Sequence, residues 1–306
     1  MIEVRNLSKS FGYFKAVKNI NFTIQKGEIF GFLGPNGAGK STTIHMMSSL
    51  LFADEGTVFI DGINLQEQPN ACKKLIGVVP QEISLYDEFS AYDNLLFWGK
   101  LYQIPTKELK KSIDTILELI GLSDRKNDLI KTFSGGMKRR VNIAAAILHQ
   151  PKVLFMDEPT VGVDPQSRNR IFEVVEALNK QGMTIVYTTH YMEEVERLCN
   201  RIAIINEGNI IAQGTQQELQ KESTVQEAIE IRFQEISEEQ IGELKKTHPS
   251  IHQKKNTIII SCSIQKELSN IISICNQQEL VIEDIQLKKV NLEAIFLQLT
   301  GKKLRD

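Results

Sequence analysis

The stretch that decides the fold is "GPNGAGKS", Gly34–Ser41, which matches the phosphate-loop pattern G-x-x-x-x-G-K-[ST]. It follows the apolar run "EIFGF" and precedes "TTIHMMSSL", so a strand, a glycine turn and a helix are predicted in succession. Glycines let consecutive backbone N–H groups turn toward phosphate oxygens. At ordinary glycine content such a pattern arises by chance in roughly one chain in a hundred. The flanking strand and helix make a chance match less frequent still.

The residue types in this loop each have a predicted role in holding a nucleotide. Lys40 is predicted to reach the β- and γ-phosphates, and the Ser41 hydroxyl is predicted to ligate Mg²⁺. ATP and Mg²⁺ are therefore the predicted ligands. The predicted nucleotide contacts in the loop are Gly34, Pro35, Asn36, Gly37, Ala38, Gly39, Lys40, Ser41 and Thr42.

A second apolar run, "KVLFMDEP" at Lys152–Pro159, ends in two carboxylates. Carboxylates at the end of a buried strand suit the metal and the attacking water of a nucleotide site. We predict that Asp157 binds the metal through water and that Glu158 is the general base. A solvated acidic turn would be the better explanation for an isolated "DEP"; beside a phosphate loop, the catalytic explanation is favoured.

Two further polar residues follow apolar runs and are candidates for the same site. His190 ends "TIVYTTH" and is predicted to donate to a γ-phosphate oxygen, whereas Gln81 follows "LIGVVP" and is predicted to touch Mg²⁺ and the attacking water. A surface histidine and a polar loop residue are the ordinary alternatives. Both predictions depend on the strands that follow a phosphate loop ending at the same edge of the sheet, close to the phosphates.

The segment "FSGGMKRR", Phe133–Arg140, predicts a helix that begins in a glycine turn. Ser134 is a good N-cap, and the N–H groups after Gly135 and Gly136 would have no partner inside the helix. Such an end favours an anion. Three cations, Lys138 to Arg140, nevertheless occupy the start of this helix, where the helix dipole disfavours positive charge by about 0.3–1 kcal/mol each.

The pattern along the chain predicts an α/β core, a helical insert and a second domain. Apolar strands alternate with helical patterns as far as about residue 214, except that residues 90–150 show only helical periodicity. We predict a first domain over 1–220 and a small α+β domain over 221–306. The order β-α-β-β-α-β followed by a helix in the second domain is compatible with a ferredoxin-like module.

Composition excludes some classes of protein. The chain has 306 residues, 42% of them hydrophobic and 24% charged, with a formal net charge of -2. Because nucleic-acid binding usually needs a strongly basic face, no nucleic-acid partner is expected. The four cysteines are scattered, which favours a reducing, intracellular environment. We find no leader peptide and no apolar run of the ~18–20 residues that a membrane span requires, so any spanning would fall to another polypeptide.

Six elements, taken in order, resemble those of an ATP-binding-cassette (ABC) ATPase over roughly residues 2–214. They are "GPNGAGKST", Gln81, "FSGGMKRR", "VLFMDEP", "VGVD" and His190. The resemblance implies that Phe11 stacks on adenine in place of the usual tyrosine. It also implies that Ser134, Gly135 and Gly136 form the family signature, in which Phe133 and Met137 replace the usual Leu and Gln. The segment "VGVD" keeps Asp164, which the resemblance places at a dimer contact.

The resemblance also implies partners and a location. Two cassettes would face each other, each ATP being held by the phosphate loop of one and the signature of the other, in a homodimer or a heterodimer with a second ABC ATPase. A separate integral membrane permease would carry the cargo, which places the chain on the cytoplasmic face of a bacterial membrane. The C-terminal segment, ending "NLEAIFLQLTGKKLRD", resembles that of the ATPase subunits of daunorubicin-, bacitracin- and linearmycin-resistance exporters.

Three points stay open from the sequence. A soluble ABC ATPase acting on ribosomes or nucleic acid is the main alternative function, and a phosphate-loop kinase is a third. The segment after Gln81, with Tyr86 and Phe89, is predicted either to dock the permease or to pack within the helical insert. The C-terminal domain is predicted to support the dimer through "NTIIISCSI" and "LEAIFLQL", with simple stabilisation as the alternative.

Overall fold

The computed structural model describes residues 1–247, 251–288 and 290–301. The chain forms two compact units, one of which is Met1–Gln216, whereas the other begins at Gln217. That boundary lies slightly before the domain limit of residue 220 proposed from the sequence. Parts of the proposed second domain, namely residues 248–250, 289 and 302–306, lie outside the described residues.

The first unit contains ten strands and seven helices among the described residues, with α8 following at the boundary. The strands are β1 (Ile2–Phe11), β2 (Phe14–Ile24), β3 (Ile29–Leu33), β4 (Glu55–Ile60), β5 (Ile63–Asn64), β6 (Ile76–Val79), β7 (Val153–Asp157), β8 (Thr184–Thr189), β9 (Arg201–Asn206) and β10 (Asn209–Gly214). The helices are α1 (Lys40–Met47), α2 (Pro69–Lys73), α3 (Ala91–Leu101), α4 (Thr106–Leu119), α5 (Gly135–Ile147), α6 (Pro165–Lys180), α7 (Met192–Leu198) and α8 (Gln216–Glu222).

A six-stranded sheet in the order β10-β9-β3-β8-β7-β6 forms the centre of the first unit. Its strands are parallel except for β10, which pairs antiparallel with β9. Every residue of β3, β7 and β8 is buried, because both faces of this sheet are covered by other elements. The predicted α/β class is confirmed. The carboxyl ends of β3, β6, β7 and β8 lie at one edge, where a nucleotide site is expected in such a sheet.

A separate antiparallel sheet, in the order β2-β1-β4-β5, was not predicted from the sequence. The runs "NINFTI" and "GTVFIDG" belong to this sheet, because each pairs with β1 rather than with a parallel strand. Its apolar side chains pack with those of β3 in one core, where Phe22 lies 5.1 Å from Phe32 between ring centroids. The sheet therefore covers the central sheet on the side of α1.

The helical insert consists of α3, α4 and α5, with two short 3₁₀ turns before α5. Ser90 caps α3 by accepting a hydrogen bond from the Asp93 N–H at 3.0 Å. One stripe of α4, formed by Leu109, Ile113 and Leu117, is fully buried against the neighbouring helices. The insert and one face of the central sheet thus share one continuous apolar core.

The second unit is a four-stranded antiparallel sheet with helices packed on one face. Its strands are β11 (Ala228–Phe233), β12 (Ile251–Lys254), β13 (Thr257–Ser261) and β14 (Ile282–Lys288), and its further helices are α9 (Glu238–Thr247), α10 (Ile264–Gln277) and α11 (Leu292–Thr300). The sheet order is β12-β13-β11-β14, the order of two interleaved β-α-β units. We therefore propose that this unit is ferredoxin-like.

The run "NTIIISCSI" does not form an edge strand of this sheet, so its backbone is not free to pair with a second copy. It forms β13, which pairs with β12 on one side and β11 on the other. Ile258 and Ile260 are fully buried in the core of the unit. In α11, Leu292, Ile295 and Phe296 are also buried, although Leu297 and Leu299 are exposed. The sequence argument for dimer support from β13 therefore loses its structural basis.

Candidate active site

The phosphate loop lies between the end of β3 and the first residue of α1, as predicted. Gly37 and Gly39 have left-handed backbone angles, φ +78° and +106°, which glycine adopts without strain. A Cβ on Gly39 would lie 2.5 Å from the carbonyl oxygen of Ala16, so no other residue fits there. No side chain caps α1, so its first N–H groups are left for a ligand outside the helix. This loop fits a phosphate group.

Lys40, Glu158 and His190 form a cluster at the edge of the sheet, in which Lys40 and Glu158 are buried and His190 is half-buried. Lys40 Nζ lies 3.0 Å from Glu158 Oε1, and His190 Nδ1 lies 3.1 Å from Glu158 Oε2. Lys40 also donates to the carbonyl oxygens of Gly34 and Pro35 at 2.8 and 2.9 Å. Lys40 and Glu158 are only 4% and 5% exposed, so this carboxylate and this ammonium interact in a medium of low dielectric constant.

Ser41 and Asp157 meet beside this cluster. The Ser41 hydroxyl donates to Asp157 Oδ1 at 3.0 Å, and the Thr188 hydroxyl donates to the same oxygen at 2.7 Å. Within the described residues no group of three or more His, Cys, Asp or Glu side chains is arranged to hold a metal. A hydroxyl and one carboxylate are nevertheless the oxygen donors that Mg²⁺ takes when substrate phosphates supply the other ligands. The pair fits Mg²⁺.

The backbone of Glu158 is strained. Its φ of +44° lies in the left-handed region, which for a residue with a Cβ costs about 1–3 kcal/mol. Two hydrogen bonds to β8 stabilise this backbone conformation: the Glu158 N–H donates to the Thr188 carbonyl oxygen at 3.2 Å and to the Thr188 hydroxyl at 3.0 Å. Such strain concentrates at functional sites, where it fixes a side chain in one position.

Gln81 lies at the same edge, two residues beyond the end of β6, but within the described residues its side chain makes no hydrogen bond to the cluster. Its side chain is exposed, while its carbonyl oxygen accepts a hydrogen bond from Arg139 at 2.6 Å. Val79 pairs with Met156 in the parallel register, so the segment that follows β6, with Gln81, runs beside the end of β7 at Asp157. Its predicted role in metal and water binding remains a prediction.

The signature residues lie away from the phosphate loop, and among the described residues no hydrogen bond or ion pair joins the two. Ser134 caps α5 as predicted, accepting from the Met137 N–H at 3.3 Å. A Cβ on Gly136 would lie 2.2 Å from that of Ser167, so α5 packs directly on the first turn of α6. Met137 is half-buried and packs on the core of the insert, which accounts for an apolar residue there.

The cations that open α5 find partners inside the chain. Lys138 pairs with Asp87 at 2.7 Å, and Arg140 donates to the carbonyl oxygen of Ile120. Arg139 is buried and donates to the carbonyl oxygens of Pro80 and Gln81. The charge of Lys138 is thus offset by a carboxylate, whereas the two guanidinium groups donate to neutral carbonyl oxygens.

Asp164 and Phe11 are both exposed. Asp164 caps α6, accepting from the Ser167 N–H at 2.9 Å, and this hydrogen bond lowers the pKa of its carboxyl group. Phe11 ends β1 with half of its surface exposed, and Lys9 Nζ lies 5.7 Å from the ring centroid. The dimer contact of Asp164 and the adenine contact of Phe11 stay predictions, and both side chains are accessible to such partners.

Sequence reasoning missed two polar side chains that support this site. Thr188 bridges Asp157 and Glu158, and Glu194 in α7 accepts from the hydroxyls of Thr160 and Tyr187 at 2.6 and 3.0 Å. The Glu194 carboxylate and the two hydroxyl groups that donate to it are all buried. The available signal was a pair of threonines inside the otherwise apolar run "TIVYTTH", next to a histidine already singled out.

Comparison with known proteins shows the family to which the chain belongs. A family model described as ABC transporter matches residues 17–161. The chain is 44% identical to the linearmycin resistance ATP-binding protein LnrL of Bacillus subtilis (strain 168), with both chains covered in full. It is 33% identical to the daunorubicin/doxorubicin resistance ATP-binding protein DrrA of Streptomyces peucetius, covering all of this chain and 94% of the relative.

Solved structures agree as well. A dimeric structure of the ATP-binding cassette MJ0796 in a post-hydrolysis state with ADP and Pi has a TM-score of 0.63 and 28% identity, and the match covers 70% of this chain and 98% of that one. The structure of cbiO1 from Clostridium perfringens, part of the transporter complex cbiONQ, has a TM-score of 0.66 and 30% identity, with 72% and 90% covered. The resemblance inferred from the motifs is confirmed, and the chain belongs to the ABC transporter family as an ATP-binding and ATP-hydrolysing subunit.

Proposed function

We propose that this chain is the ATPase subunit of a bacterial exporter, and that its cargo is a drug, an antibiotic or a lipid-like compound. The observation that carries the proposal is the cluster of Lys40, Glu158 and His190 beside the Ser41–Asp157 pair. The cargo class is supported by full-length identity to subunits named for linearmycin and for daunorubicin and doxorubicin resistance. The ribosomal or nucleic-acid alternative has no supporting observation.

In the proposed reaction, this chain binds the phosphates, orients water and accepts a proton. The N–H groups of the phosphate loop and Lys40 hold the β- and γ-phosphates, and Ser41, Asp157 and Gln81 hold Mg²⁺. When bound, Mg²⁺ neutralises charge on the phosphates. Glu158 accepts the proton of the attacking water. His190, whose Nδ1 lies against Glu158 Oε2, donates a hydrogen bond to the γ-phosphate.

We further propose that two copies, or this chain and a second ABC ATPase, close around two ATP molecules. Each signature, Ser134 to Gly136, would cap the γ-phosphate held by the partner, with Asp164 at the contact and Phe11 on the adenine. Two facts support this: Ser134 and Gly135 are exposed, and the related cassette MJ0796 is dimeric with ADP and Pi. ATP would stabilise the closed form by mass action.

A separate permease would carry the cargo, placing the chain on the cytoplasmic face of the membrane. In the described part of the chain no helix has the length and apolarity to cross a bilayer.

An exposed aromatic cluster on the helical insert consists of Tyr86, Phe89 and Phe97, in which the Tyr86 ring centroid lies 5.2 Å from that of Phe89 and 5.1 Å from that of Phe97. We propose that this cluster docks the permease, because exposed aromatic patches are typical of interfaces.

The test is Glu158→Gln, which keeps the size of the side chain and removes its basicity. We expect ATP to bind with unchanged affinity, dimerisation to persist, and turnover to fall about 10²–10⁴-fold, since general-base catalysis contributes that much. Glu108→Gln, an exposed residue of α4, is the matched control and should hydrolyse ATP at the wild-type rate. Wild-type turnover by Glu158→Gln would show that another group is the base.

A further inference from the structure

Arg139 makes an unusual set of contacts for a residue in the second turn of a helix. The residue is 4% exposed, and its guanidinium group donates from one terminal nitrogen to the Pro80 carbonyl oxygen at 2.7 Å. The other terminal nitrogen donates to the Gln81 carbonyl oxygen at 2.6 Å. A planar guanidinium that spans two consecutive carbonyls fixes the orientation of both peptide groups, which a lysine ammonium cannot do.

Stability alone does not account for this arrangement. Burial lowers the pKa of Arg139, and the nearby charge of Asp157 acts in the opposite direction, so the cation is held inside the protein opposite neutral carbonyls. Its Nε is buried and has no hydrogen-bond partner within the described residues. Burying a cation whose hydrogen bonds go to neutral carbonyl oxygens is costly, and such a cost favours a role beyond packing.

The same helix holds the segment after β6 at a second point. Asn142 lies three residues beyond Arg139 and therefore on the same face of α5. Its Oδ1 accepts a hydrogen bond from the Ser84 N–H at 3.3 Å. Two side chains of α5 thus hold the backbone of residues 80–84, and α5 is the helix whose first residues carry the signature.

We propose that Arg139 is a positioning residue that sets the backbone of Gln81, and so the origin of its side chain, by clamping the carbonyls of Pro80 and Gln81. The inference rests on the role proposed above for Gln81, and it assigns to Arg139 a task that its sequence position does not reveal.

The test is a double-mutant cycle in the full-length chain with Arg139→Lys and Gln81→Ala. We expect each single variant to lower kcat about ten- to a hundredfold, the loss that a displaced catalytic group causes. Each should raise the Mg²⁺ concentration for half-maximal turnover while the KM for ATP changes by less than about twofold, because the phosphate loop is intact. The double variant should be no slower than the slower single variant, since both changes disable one group.

Controls separate this proposal from the one it rests on. Lys138→Ala removes a surface ion pair from the same turn and should leave kcat and the Mg²⁺ dependence unchanged. If Gln81→Ala turns over ATP normally, the role of Gln81 is wrong. If Gln81→Ala is slow but Arg139→Lys is normal, or the two losses multiply, the proposed role of Arg139 is wrong.

Arg139→Gln is the second variant at this position. If neither Arg139 variant keeps the wild-type circular dichroism spectrum, the residue is structural and the proposal is overturned.

Discussion

Thr188 shows how a residue without a motif of its own can support a motif. Its hydroxyl contacts Asp157 Oδ1 and the N–H of the strained Glu158, both within 3.0 Å. Nothing in the linear sequence joins Thr188 to "KVLFMDEP", because the link is the parallel register that sets Asp157 against Thr188. Lys40, Ser41, Asp157, Glu158 and His190 could be predicted because they lie in, or directly after, recognisable local patterns.

We predict that Thr188→Val lowers turnover about tenfold or more while ATP still binds, because Asp157 and Glu158 each lose a hydrogen bond that fixes them. The lost hydrogen bonds should also reduce the free energy of unfolding by about 1–2 kcal/mol. Steady-state ATPase assays and urea unfolding measure the two effects.

Thr184→Val is the matched control for this prediction. Thr184 is fully buried at the other end of β8, where its hydroxyl accepts from the Gly27 N–H at 2.9 Å. We expect a similar loss of stability, about 1 kcal/mol, with normal turnover. If both threonine variants lose activity in proportion to stability, Thr188 has no specific role in the site.

His149 gives the first unit a predicted dependence of stability on pH. Burial lowers its pKa below the ordinary value of 6.5, against a smaller opposing effect of its hydrogen bond to the Ile76 carbonyl oxygen. Its Nε2 lies 2.8 Å from that oxygen, and its Nδ1 is buried without a partner within the described residues. A proton added to the ring would therefore enter an apolar environment.

Since the unfolded chain takes up this proton at a higher pH than the folded one, stability should fall as the pH drops below about 6.5 toward the lower folded pKa. His149→Gln keeps a donor for Ile76 and cannot be protonated. We expect a flatter plot of unfolding free energy against pH between about pH 5 and pH 7, measured by urea titration. A variant with the wild-type slope would show that His149 does not control it.

At the scale of the elements, the sequence predicted the helices and the buried parallel strands but not the antiparallel sheet. Helices such as α4 carry a full apolar stripe, and β3, β7 and β8 are continuous apolar runs, so a local window contains the whole signal. The sheet around β1 depends on pairing with β4, some fifty residues later. Such pairing is a property of the tertiary fold, and the polar residues of "IEVRNLSKSF" conceal it further.

The contact between α5 and α6 leads to a prediction that separates packing from ligand binding in the signature. Gly136→Ala would place a Cβ 2.2 Å from that of Ser167, so we expect the free energy of unfolding to fall by about 1–3 kcal/mol through overpacking. Gly135→Ala meets its nearest atom, the Gly162 carbonyl oxygen, only at 4.0 Å, so stability should change by less than about 0.5 kcal/mol.

The ATPase activity of Gly135→Ala then tests the signature itself. If Gly135 faces a nucleotide held by a second cassette, the added methyl group should lower turnover at least about tenfold in a stable protein, because the backbone can no longer approach the phosphate closely. Differential scanning calorimetry and ATPase assays on the same samples give both numbers. A stable Gly135→Ala protein with full activity would contradict signature contact in the dimer.

At the scale of the whole molecule, every residue of the proposed nucleotide site lies in the first unit, Met1–Gln216. The solved cassettes match 70–72% of this chain but 90–98% of their own, so they consist of little more than a counterpart of the first unit. The sequence favoured a role for the second unit in dimer support because the strand "NTIIISCSI" and the helix "LEAIFLQL" offered apolar surfaces. The structure places that strand inside the sheet, with Ile258 and Ile260 buried.

We therefore predict that a chain ending at Gln216 folds and dimerises with ATP as well as the full chain does. The comparison should be made in the Glu158→Gln background, where slow hydrolysis keeps the ATP dimer long enough for sedimentation velocity. The same proteins with ADP in place of ATP serve as the control and should sediment as monomers, because the bridging γ-phosphate is missing. A truncated protein that stays monomeric with ATP while the full chain dimerises would return the dimer contact to the second unit, and the exposed Leu297 and Leu299 of α11 would be the first side chains to substitute.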